Sequence, residues 1–315
     1  MAGCDPSTER RQRLRELEPA AYAFETLDAL LDACEVDAVL ITAPPALHAA
    51  LALNAFARGK HVLVEKPMAL TMSDGMRMVG AARSAGVLLW VGCQRRFAPY
   101  TRRLASWLAG RVPQDVQAIT FETRTNPNGW AAYTGFLGDA TVGGDALLDL
   151  APHQLDLLAW LIGGHPNEVK AQRCDGGVRY DVRWRNGLAA VCTVGHGAVN
   201  RDHLTIRLTD CSLVRSGPTA GRFRRPLGQW DTTYLRIRYA PATLFRTLTR
   251  QADPETAAFT QQLTAFGQAV LGNHGQERIA DGLATMATIE ACRVSLASGG
   301  TWQPIDSLGA IGADA

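Results

Sequence analysis

The chain has 315 residues, of which 47% are hydrophobic and 20% are charged, and its net charge is +2. The length favours two domains, and the composition is that of a globular protein with a full core. A charge this close to zero argues against nucleic acid or a membrane surface as a partner, and no apolar run is long enough to span a bilayer.

The seven cysteines are scattered along the chain, and none of them forms a C-x-x-C pair. An odd, dispersed set of this kind indicates neither a zinc site nor a disulfide framework. The amino-terminal residues are polar and rich in arginine, without the apolar region of a secretory signal. Together these features favour the reducing cytoplasm as the location of the protein.

Strands and helices alternate through the first third of the chain. Buried strands are predicted at 36–42, 61–64 and 87–91, and helices at 45–58 and 73–84. Ser73 is the expected N-cap of the second helix, and Gly59 and Gly86 are the expected C-terminal glycines. This alternation predicts right-handed β-α-β units and a parallel sheet.

The pattern changes after residue 98. Helices are predicted at 99–109 and 145–162, and a strand at 116–124 and a glycine-rich loop at 135–144 lie between them. Five strands and two helices follow, at 168–173, 177–184, 188–196, 204–208, 212–215, 255–271 and 277–298. Turns such as 185–187 predict a mixed or antiparallel sheet. We therefore expect a first domain at 1–110 and an α+β domain at 111–315, with the helix at 277–298 packing back toward the first.

The strand at 61–64 leads directly into Glu65, Lys66 and Pro67. Ligands bind at the carboxyl ends of the strands in an open parallel sheet, so Lys66 stands where a reacting group would be placed. Pro67 would stiffen the turn that holds it. The alternative reading of such a charged turn is a solvated loop without a chemical role.

Asp149, His153 and Asp156 share one face of the helix at 145–162, because they are four and three residues apart. A carboxylate one turn from an imidazole can fix its tautomer and raise its basicity, which suits a general acid or base near neutral pH. No third ligand with metal-site spacing is visible, so no metal is predicted. The alternative is an Asp–His pair that only satisfies a partly buried helix.

Four stretches in this order resemble the Gfo/Idh/MocA family of oxidoreductases, which contains glucose–fructose oxidoreductase and inositol dehydrogenase. They are Ile41 to His48, Gly59 to Pro67, Arg95 to Pro99 and Gly143 to Asp156. The resemblance implies a nicotinamide-binding Rossmann domain, a doubly wound parallel sheet, followed by an α+β domain with a large open sheet. That sheet would carry substrate contacts and the contacts of a homo-oligomer, a dimer or a tetramer.

The resemblance also implies roles for single residues. Lys66 would contact the substrate hydroxyl and the nicotinamide ribose, His153 would move the hydroxyl proton, and Asp149 would orient His153. The residues implied to bind the cofactor are Asp5, Thr42, Ala43, Pro44, His48, Glu65, Lys66 and Gln94. The candidates for lining the substrate are Arg96, Trp130 and Asp156.

Asp5 matches the acid that ends the second Rossmann strand and binds the ribose hydroxyls, which favours NAD as the cofactor. Arg10 lies close enough in sequence to keep NADP open. Where this chain has Ala43 the family usually has threonine, so one cofactor contact is expected to be absent.

The chain departs from the family in one respect, because it contains no G-x-G-x-x-G and only four residues precede Asp5. The first strand, the glycine-rich turn and the first helix of the Rossmann unit are therefore not represented, and we expect an N-terminally truncated Rossmann domain. The missing strand is the central one in the order 3-2-1-4-5-6, so the strand at 36–42 would have an open edge. We expect Met1 to be an internal position of a longer natural chain.

The predicted function is an NAD(P)-dependent oxidoreductase acting on a sugar, a cyclitol or an activated or aminated derivative. Two alternatives stay open: a non-redox homologue used for binding or assembly, and an imine or enone reductase. A stretch at 211–250 holds eight arginines and one aspartate. It is read first as a solvated face or subunit contact, and second as a handle for an anionic substrate.

Overall fold

The computed structural model describes residues 1–126, 145–210, 212–216, 220–224, 254–272 and 277–305. The helices are α1 Thr8–Leu17, α2 Leu27–Ala33, α3 Pro45–Ala57, α4 Met72–Ala85, α5 Pro99–Leu108, α6 Ala146–Ile162, α7 Pro254–Gly272 and α8 Glu277–Ala297, with a 3-10 helix at Gln94–Phe97. The strands are β1 Ala2–Cys4, β2 Tyr22–Phe24, β3 Ala38–Ile41, β4 His61–Glu65, β5 Leu89–Gly92, β6 Val116–Thr125, β7 Glu168–Cys174, β8 Gly177–Arg183, β9 Ala189–His196, β10 Arg201–Leu208, β11 Ser212–Ser216, β12 Ala220–Arg224 and β13 Gln303–Pro304. Within those ranges no helix has the length and apolarity needed to cross a lipid bilayer.

The first part of the chain forms parallel sheet, as the alternation predicts. Strands β3, β4 and β5 pair in that order, and β1 pairs with β2 in a separate two-stranded ribbon. Val62, Leu63 and Val64 of the central strand β4 have no exposed surface, since helices cover both faces of a doubly wound sheet. Strand β3 pairs with β4 alone among the described strands, and its Leu40 is 48% exposed.

The second part is built on an eight-stranded sheet in the order β12-β11-β10-β6-β9-β8-β7-β13. Its pairs are antiparallel except for β6 and β9, which run parallel. Residues alternate along β6, so Ile119 and Phe121 are buried while Thr120 and Glu122 face outward. Helices α6 and α8 cover the buried face, and the predicted Rossmann-plus-mixed-sheet architecture is confirmed.

Helix α8 also packs against the parallel sheet. Its Leu283 and Met286 belong to the same apolar cluster as Val62 and Val64, and Gly282 lies so close to Val91 that an added Cβ would stand 2.7 Å from that side chain. The chain passes between the two sheets through the 3-10 helix and α5. We propose that the domain boundary lies near residue 110.

Local signals predict most of these elements within one or two residues, but α1, β2 and α2 were not predicted and one cap was wrong. Thr71, not Ser73, caps α4, because its side chain accepts a hydrogen bond from the Asp74 amide. Gly86 ends that helix in the left-handed conformation at φ 66°, as predicted. The loop at 135–144, Trp130 and most of the arginine-rich stretch lie outside the described residues, while 212–216 and 220–224 of that stretch are strands.

A buried amide fixes α6 on the sheet. Gln154 has no exposed surface, and its Nε2 donates to Thr123 Oγ1 at 2.8 Å and to the Thr193 carbonyl at 3.1 Å. Its Oε1 accepts from the Tyr180 hydroxyl at 2.6 Å. Because buried polar groups are costly when unpaired, this network holds the helix in one register over β6, β8 and β9.

The Gln154→Leu variant is expected to lower the free energy of unfolding by about 1–3 kcal/mol, because the buried Tyr180 hydroxyl loses its acceptor. Urea denaturation measures the change. The matched variant Gln117→Leu alters an exposed glutamine of β6 and is expected to stay within about 0.5 kcal/mol of the parent. Equal losses in the two variants would contradict a role for the network.

Candidate active site

The carboxyl end of β4 and the first turn of α6 meet at an ion pair. Lys66 follows β4 directly, and its Nζ donates to Asp149 Oδ1 at 2.6 Å and to the Asp149 carbonyl at 2.8 Å. The side chains of Lys66 and Asp149 are 17% and 18% exposed, so the pair is shielded from bulk water but within reach of a ligand. Residues 83 positions apart thus place a cation and an anion at the edge where ligands bind.

Asp149 has a partner that helical spacing did not indicate, because its carboxylate contacts the ammonium of Lys66. The expectation that Asp149 also orients His153 stays a prediction. His153 lies one turn further along α6 and is 8% exposed. Lys66 and Asp149 are therefore in contact, and His153 follows Asp149 by four residues on the same helix.

Glu65 occupies a space that only glycine leaves open. A Cβ at Gly92 on β5 would stand 3.0 Å from the Glu65 carboxylate. Burial raises the pKa of this carboxyl, and the Lys66 amide, which donates to its Oε2 at 3.2 Å, partly offsets the effect. The need for glycine at 92 comes from packing between neighbouring strands, which no local pattern in the sequence indicates.

Arg96 and Asp156 bind each other in the interior, which is a different setting from the predicted substrate lining. Arg96 donates to both carboxylate oxygens of Asp156, at 2.8 Å and 2.5 Å, and its Nη2 lies 2.8 Å from Asp281 on α8. His165 Nε2 lies 2.9 Å from the same Asp281 carboxylate. Burial raises the pKa of Asp281, but the His165 hydrogen bond and the Arg96 charge together hold that pKa below its usual value.

This network joins the 3-10 helix, α6 and α8. Arg95, the neighbouring residue, adds a second link, because its Nη1 donates to Asp202 on β10 at 3.0 Å. Sequence patterns did not single out Asp281, His165 or Asp202, since their partners are remote in the chain. The two arginines after β5 thus clamp the parallel sheet to the mixed sheet and keep Lys66 opposite Asp149.

Two positions at the carboxyl edge of the parallel strands fit parts of a nicotinamide dinucleotide. Asp5 follows β1, and its Oδ1 accepts from the Ser7 amide at 2.8 Å while Oδ2 lies 3.5 Å from Arg10, which leaves acceptor capacity for ribose hydroxyls. Gln94 Oε1 is buried and accepts no hydrogen bond from any residue that the structure describes. That oxygen calls for an N–H donor, which a carboxamide supplies.

The turn after β3 contributes through its backbone. Thr42, Ala43 and Pro44 connect β3 to α3, and the Ala43 carbonyl faces the ring of His48. His48 itself is 1% exposed, so it shapes this turn from behind.

A cavity of about 790 Å³ opens at the amino end of α6, one turn from Asp149. Two arginines and an acid border it, and Arg293 Nη2 lies 3.3 Å from Asp145, the N-cap of α6. None of these three residues was predicted as part of a site. The described residues that line the cavity are Leu70, Thr71, Asp145, Ala146, Leu147, Leu148, Arg173, Cys174, Gly177, Val178, Arg293 and Leu296.

Removing one member of the buried pair is expected to be costly. Asp156→Ala should lower the free energy of unfolding by about 3–5 kcal/mol, because it leaves the Arg96 charge buried with only Asp281. The double variant Arg96→Met with Asp156→Leu should recover much of that loss. The control is Asp210→Ala, which removes the ion pair of Arg111 with Asp210, whose side chain is 56% exposed. It should lower the free energy of unfolding by about 1 kcal/mol or less. Urea titrations compare them, and similar losses for Asp156→Ala and Asp210→Ala would refute the clamp.

Two family models match the chain. The model for the oxidoreductase family with an NAD-binding Rossmann fold matches residues 1–93, and the model for the GFO/IDH/MocA C-terminal domain matches residues 123–213. Together they cover more than half of the chain. The first match covers strands β1 to β5, and the second runs from the end of β6 to the start of β11.

Several relatives at the sequence level are enzymes of sugar chemistry by name. The chain is 32% identical to the 1,5-anhydro-D-fructose reductase of Ensifer adhaerens over 54% of this chain and 56% of that protein. It is 29% identical to the dTDP-3,4-didehydro-2,6-dideoxy-alpha-D-glucose 3-reductase of Actinomadura kijaniata over 85% and 79%. The chain spans about half the length of the first curated relatives it matches, 42% and 56%.

The fold is also that of solved structures. The WlbA dehydrogenase of Bordetella pertussis, solved with NADH and UDP-GlcNAcA, superposes with a TM-score of 0.79 at 23% identity, over 96% of this chain and 89% of that one. An identity this low shows the shared fold alone. With both family models matched, and with the motif residues meeting at one edge of a Rossmann sheet, the chain belongs to the Gfo/Idh/MocA family of oxidoreductases.

Proposed function

We propose that this protein is an NAD-dependent oxidoreductase that transfers a hydride between nicotinamide and a hydroxyl-bearing carbon of a small polyhydroxylated molecule. The observation that carries the proposal is the Lys66–Asp149 pair, 2.6 Å across, at the carboxyl end of β4 with His153 one turn away. An ammonium, a carboxylate and an imidazole together can bind a hydroxyl, hold its oxygen and move its proton.

In this proposal each residue acts on the substrate hydroxyl. Lys66 donates a hydrogen bond to the hydroxyl oxygen, which favours loss of the proton as negative charge develops there. Asp149 fixes the direction of the Lys66 ammonium through its carboxylate and its carbonyl. His153 takes up the hydroxyl proton in oxidation and returns it in reduction. The nicotinamide, when bound, supplies or accepts the hydride.

The cofactor is proposed to lie along the carboxyl edge of the parallel strands. Asp5 would hold the ribose hydroxyls of the adenosine, and Gln94 Oε1 would accept from the carboxamide N–H. Glu65 and the turn at 42–44 would support the cofactor between these two ends. Lys66 would face both the cofactor and the substrate.

The proposed substrate is a sugar, a cyclitol or an activated or aminated sugar. The names of the relatives favour this class, since they include a reductase of 1,5-anhydro-D-fructose and a UDP-N-acetylglucosamine 3-dehydrogenase. The cavity at the amino end of α6 has the volume of a ligand larger than a monosaccharide, and Arg173 and Arg293 border it. Lys66, Asp149 and His153 do not line it, so it would hold a distal part of the substrate and not the reacting hydroxyl. Both arginines suit a carboxylate or phosphate on such a substrate.

The outward face of the eight-stranded sheet carries charged side chains that contact one another. Glu122 accepts from Arg124 at 3.0 Å and from Arg201 at 2.9 Å, and the guanidinium of Arg183 lies 3.7 Å from the ring centre of Trp302. We infer that this face joins copies of the chain into a dimer or tetramer. The six cysteines that the structure describes are all free, which supports a cytoplasmic location.

A second candidate is a non-redox homologue that binds a small molecule without turning it over. Fluorescence titration of the unmodified chain with NADH separates the two, because the enzyme must bind NADH and the non-redox homologue need not.

Lys66→Met and His153→Asn are each expected to reduce kcat by about 10² to 10⁴-fold while leaving the protein folded, because each removes a proton donor or acceptor. Initial rates are followed by NADH absorbance with 1,5-anhydro-D-fructose, UDP-N-acetylglucosamine and myo-inositol, beside a thermal melt. Lys60→Met, at the opposite end of β4, serves as the matched control and should keep the parent rate. A variant at Lys66 or His153 that turns over at the parent rate removes that residue from the mechanism.

The carboxylate of Asp5 should repel a 2′-phosphate, so NADH is expected to bind more tightly than NADPH. Asp5→Ser should narrow the ratio of the two dissociation constants, because serine removes the charge and keeps a hydrogen-bonding group. Fluorescence titrations with both cofactors measure the ratio. Asp37→Ser, an exposed acid beside the amino end of β3, should leave it unchanged. Tighter NADPH binding by the parent chain would show that Asp5 does not contact the ribose.

A further inference from the structure

His48 lies between the two turns that frame the site. It belongs to the first turns of α3, and its side chain reaches back beyond the start of the helix. Nε2 lies 2.8 Å from the carbonyl of Ala43, in the turn after β3, and Nδ1 lies 2.8 Å from the carbonyl of Pro67, in the turn after β4. The residue is 1% exposed, so neither nitrogen is available to a ligand.

Both turns belong to the proposed chemistry. Ala43 sits in the turn assigned to the cofactor, and Pro67 is joined by its peptide bond to Lys66. Lys66 in turn holds Asp149 of α6 through two hydrogen bonds. One side chain therefore connects the cofactor turn to the lysine turn, and through the lysine to the mixed-sheet domain.

A neutral imidazole carries one N–H, which reaches either carbonyl by exchange of tautomers, and the imidazolium donates to both. No apolar residue of similar size supplies either bond. Since a buried carbonyl without a donor is costly, the loss of either bond frees the turn that carried it. The neutral ring holds one carbonyl at a time, so the two contacts alternate between the tautomers, and a variant can remove either contact without the other.

We propose that His48 is a positioning residue that sets the cofactor turn and the Lys66 turn relative to each other through its two ring nitrogens. The part of this inference that concerns the cofactor turn rests on the proposed function. The part that concerns the position of Lys66 does not depend on it. The role differs from the cofactor contact expected from the sequence, because His48 acts through two backbone carbonyls.

Two conservative variants separate the two bonds. The amide nitrogen of asparagine takes nearly the place of Nδ1, so His48→Asn keeps the bond to Pro67 and loses the bond to Ala43. The longer His48→Gln places its nitrogen near Nε2, so it keeps the bond to Ala43 and loses the bond to Pro67. Both are polar and smaller than or similar to histidine, and a thermal melt confirms that each is folded.

The position of Lys66 is read by chemical labelling that needs no enzyme activity. The chain contains three lysines, Lys60, Lys66 and Lys170, so acetic anhydride labelling with mass spectrometry resolves each one. In His48→Gln the acetylation rate of Lys66, relative to Lys170, should rise roughly three- to tenfold, because one lost hydrogen bond loosens its turn. In His48→Asn it should stay within about twofold of the parent.

The cofactor turn is read by NADH titration of the full chain. In His48→Asn the dissociation constant should rise roughly three- to tenfold, and in His48→Gln it should stay within about twofold. The control is His61→Gln, at the amino end of β4, where Nδ1 accepts from the Leu88 amide at 2.9 Å. It should lower the melting temperature and change neither Lys66 labelling nor NADH binding.

The inference is supported if His48→Gln changes only the labelling of Lys66 and His48→Asn changes only the binding of NADH. A purely structural histidine would change both measurements in both variants. Equal changes in both variants, or no change in either, overturn the inference. If the parent chain does not bind NADH, the proposed function fails, and the labelling of Lys66 alone then decides whether His48 sets its position.

Discussion

The ion pair between Lys66 and Asp149 is the contact on which the arrangement of the site depends. The two charged groups are 2.6 Å apart, and less than a fifth of each side chain is exposed. The lowered dielectric strengthens their attraction, but desolvation of both charges opposes pairing. The pair is therefore stable only if both groups are held in place. One partner ends a parallel strand and the other begins a helix of the second domain. The pair therefore exists only while both sheets keep their relative position.

Other buried polar contacts supply that position. Arg95 and Arg96, just after β5, donate hydrogen bonds to Asp202 and Asp156 of the second domain. Gln154 holds α6 in register on its sheet. Each is a group whose burial costs free energy unless its partners stay in place. Apolar packing brings the layers together, and these polar contacts select one register of α6, the helix that presents Asp149 and His153.

Much of the fold could be predicted from the sequence because its signals are local. Strand β4 is a continuous apolar run between Gly59 and Pro67, and Gly86 stops α4 by its left-handed conformation. Helix α1 was not predicted, because it buries no residue and so shows no apolar stripe. The motif residues Lys66, Asp149 and His153 were predicted to share a site, while the partner of Asp149 was not, since helical spacing reports only neighbours on the same helix. The ion pair of Arg96 and the glycine at 92 likewise depend on contacts between remote segments.

The two kinds of motif residue differ in what they touch. Lys66 forms an ion pair with Asp149 at the carboxyl edge of the sheet, whereas the ring of His48 faces two backbone carbonyls. Both kinds of residue stand within the same short stretches of sequence, so the sequence pattern does not distinguish them. Only the structure separates them: His48 is 1% exposed with both nitrogens facing carbonyls, and Lys66 is 17% exposed with its ammonium at the edge of the sheet. In the proposed reaction, the placement of Lys66 would therefore depend on carbonyl groups held in place as well as on the side chains that would meet the substrate.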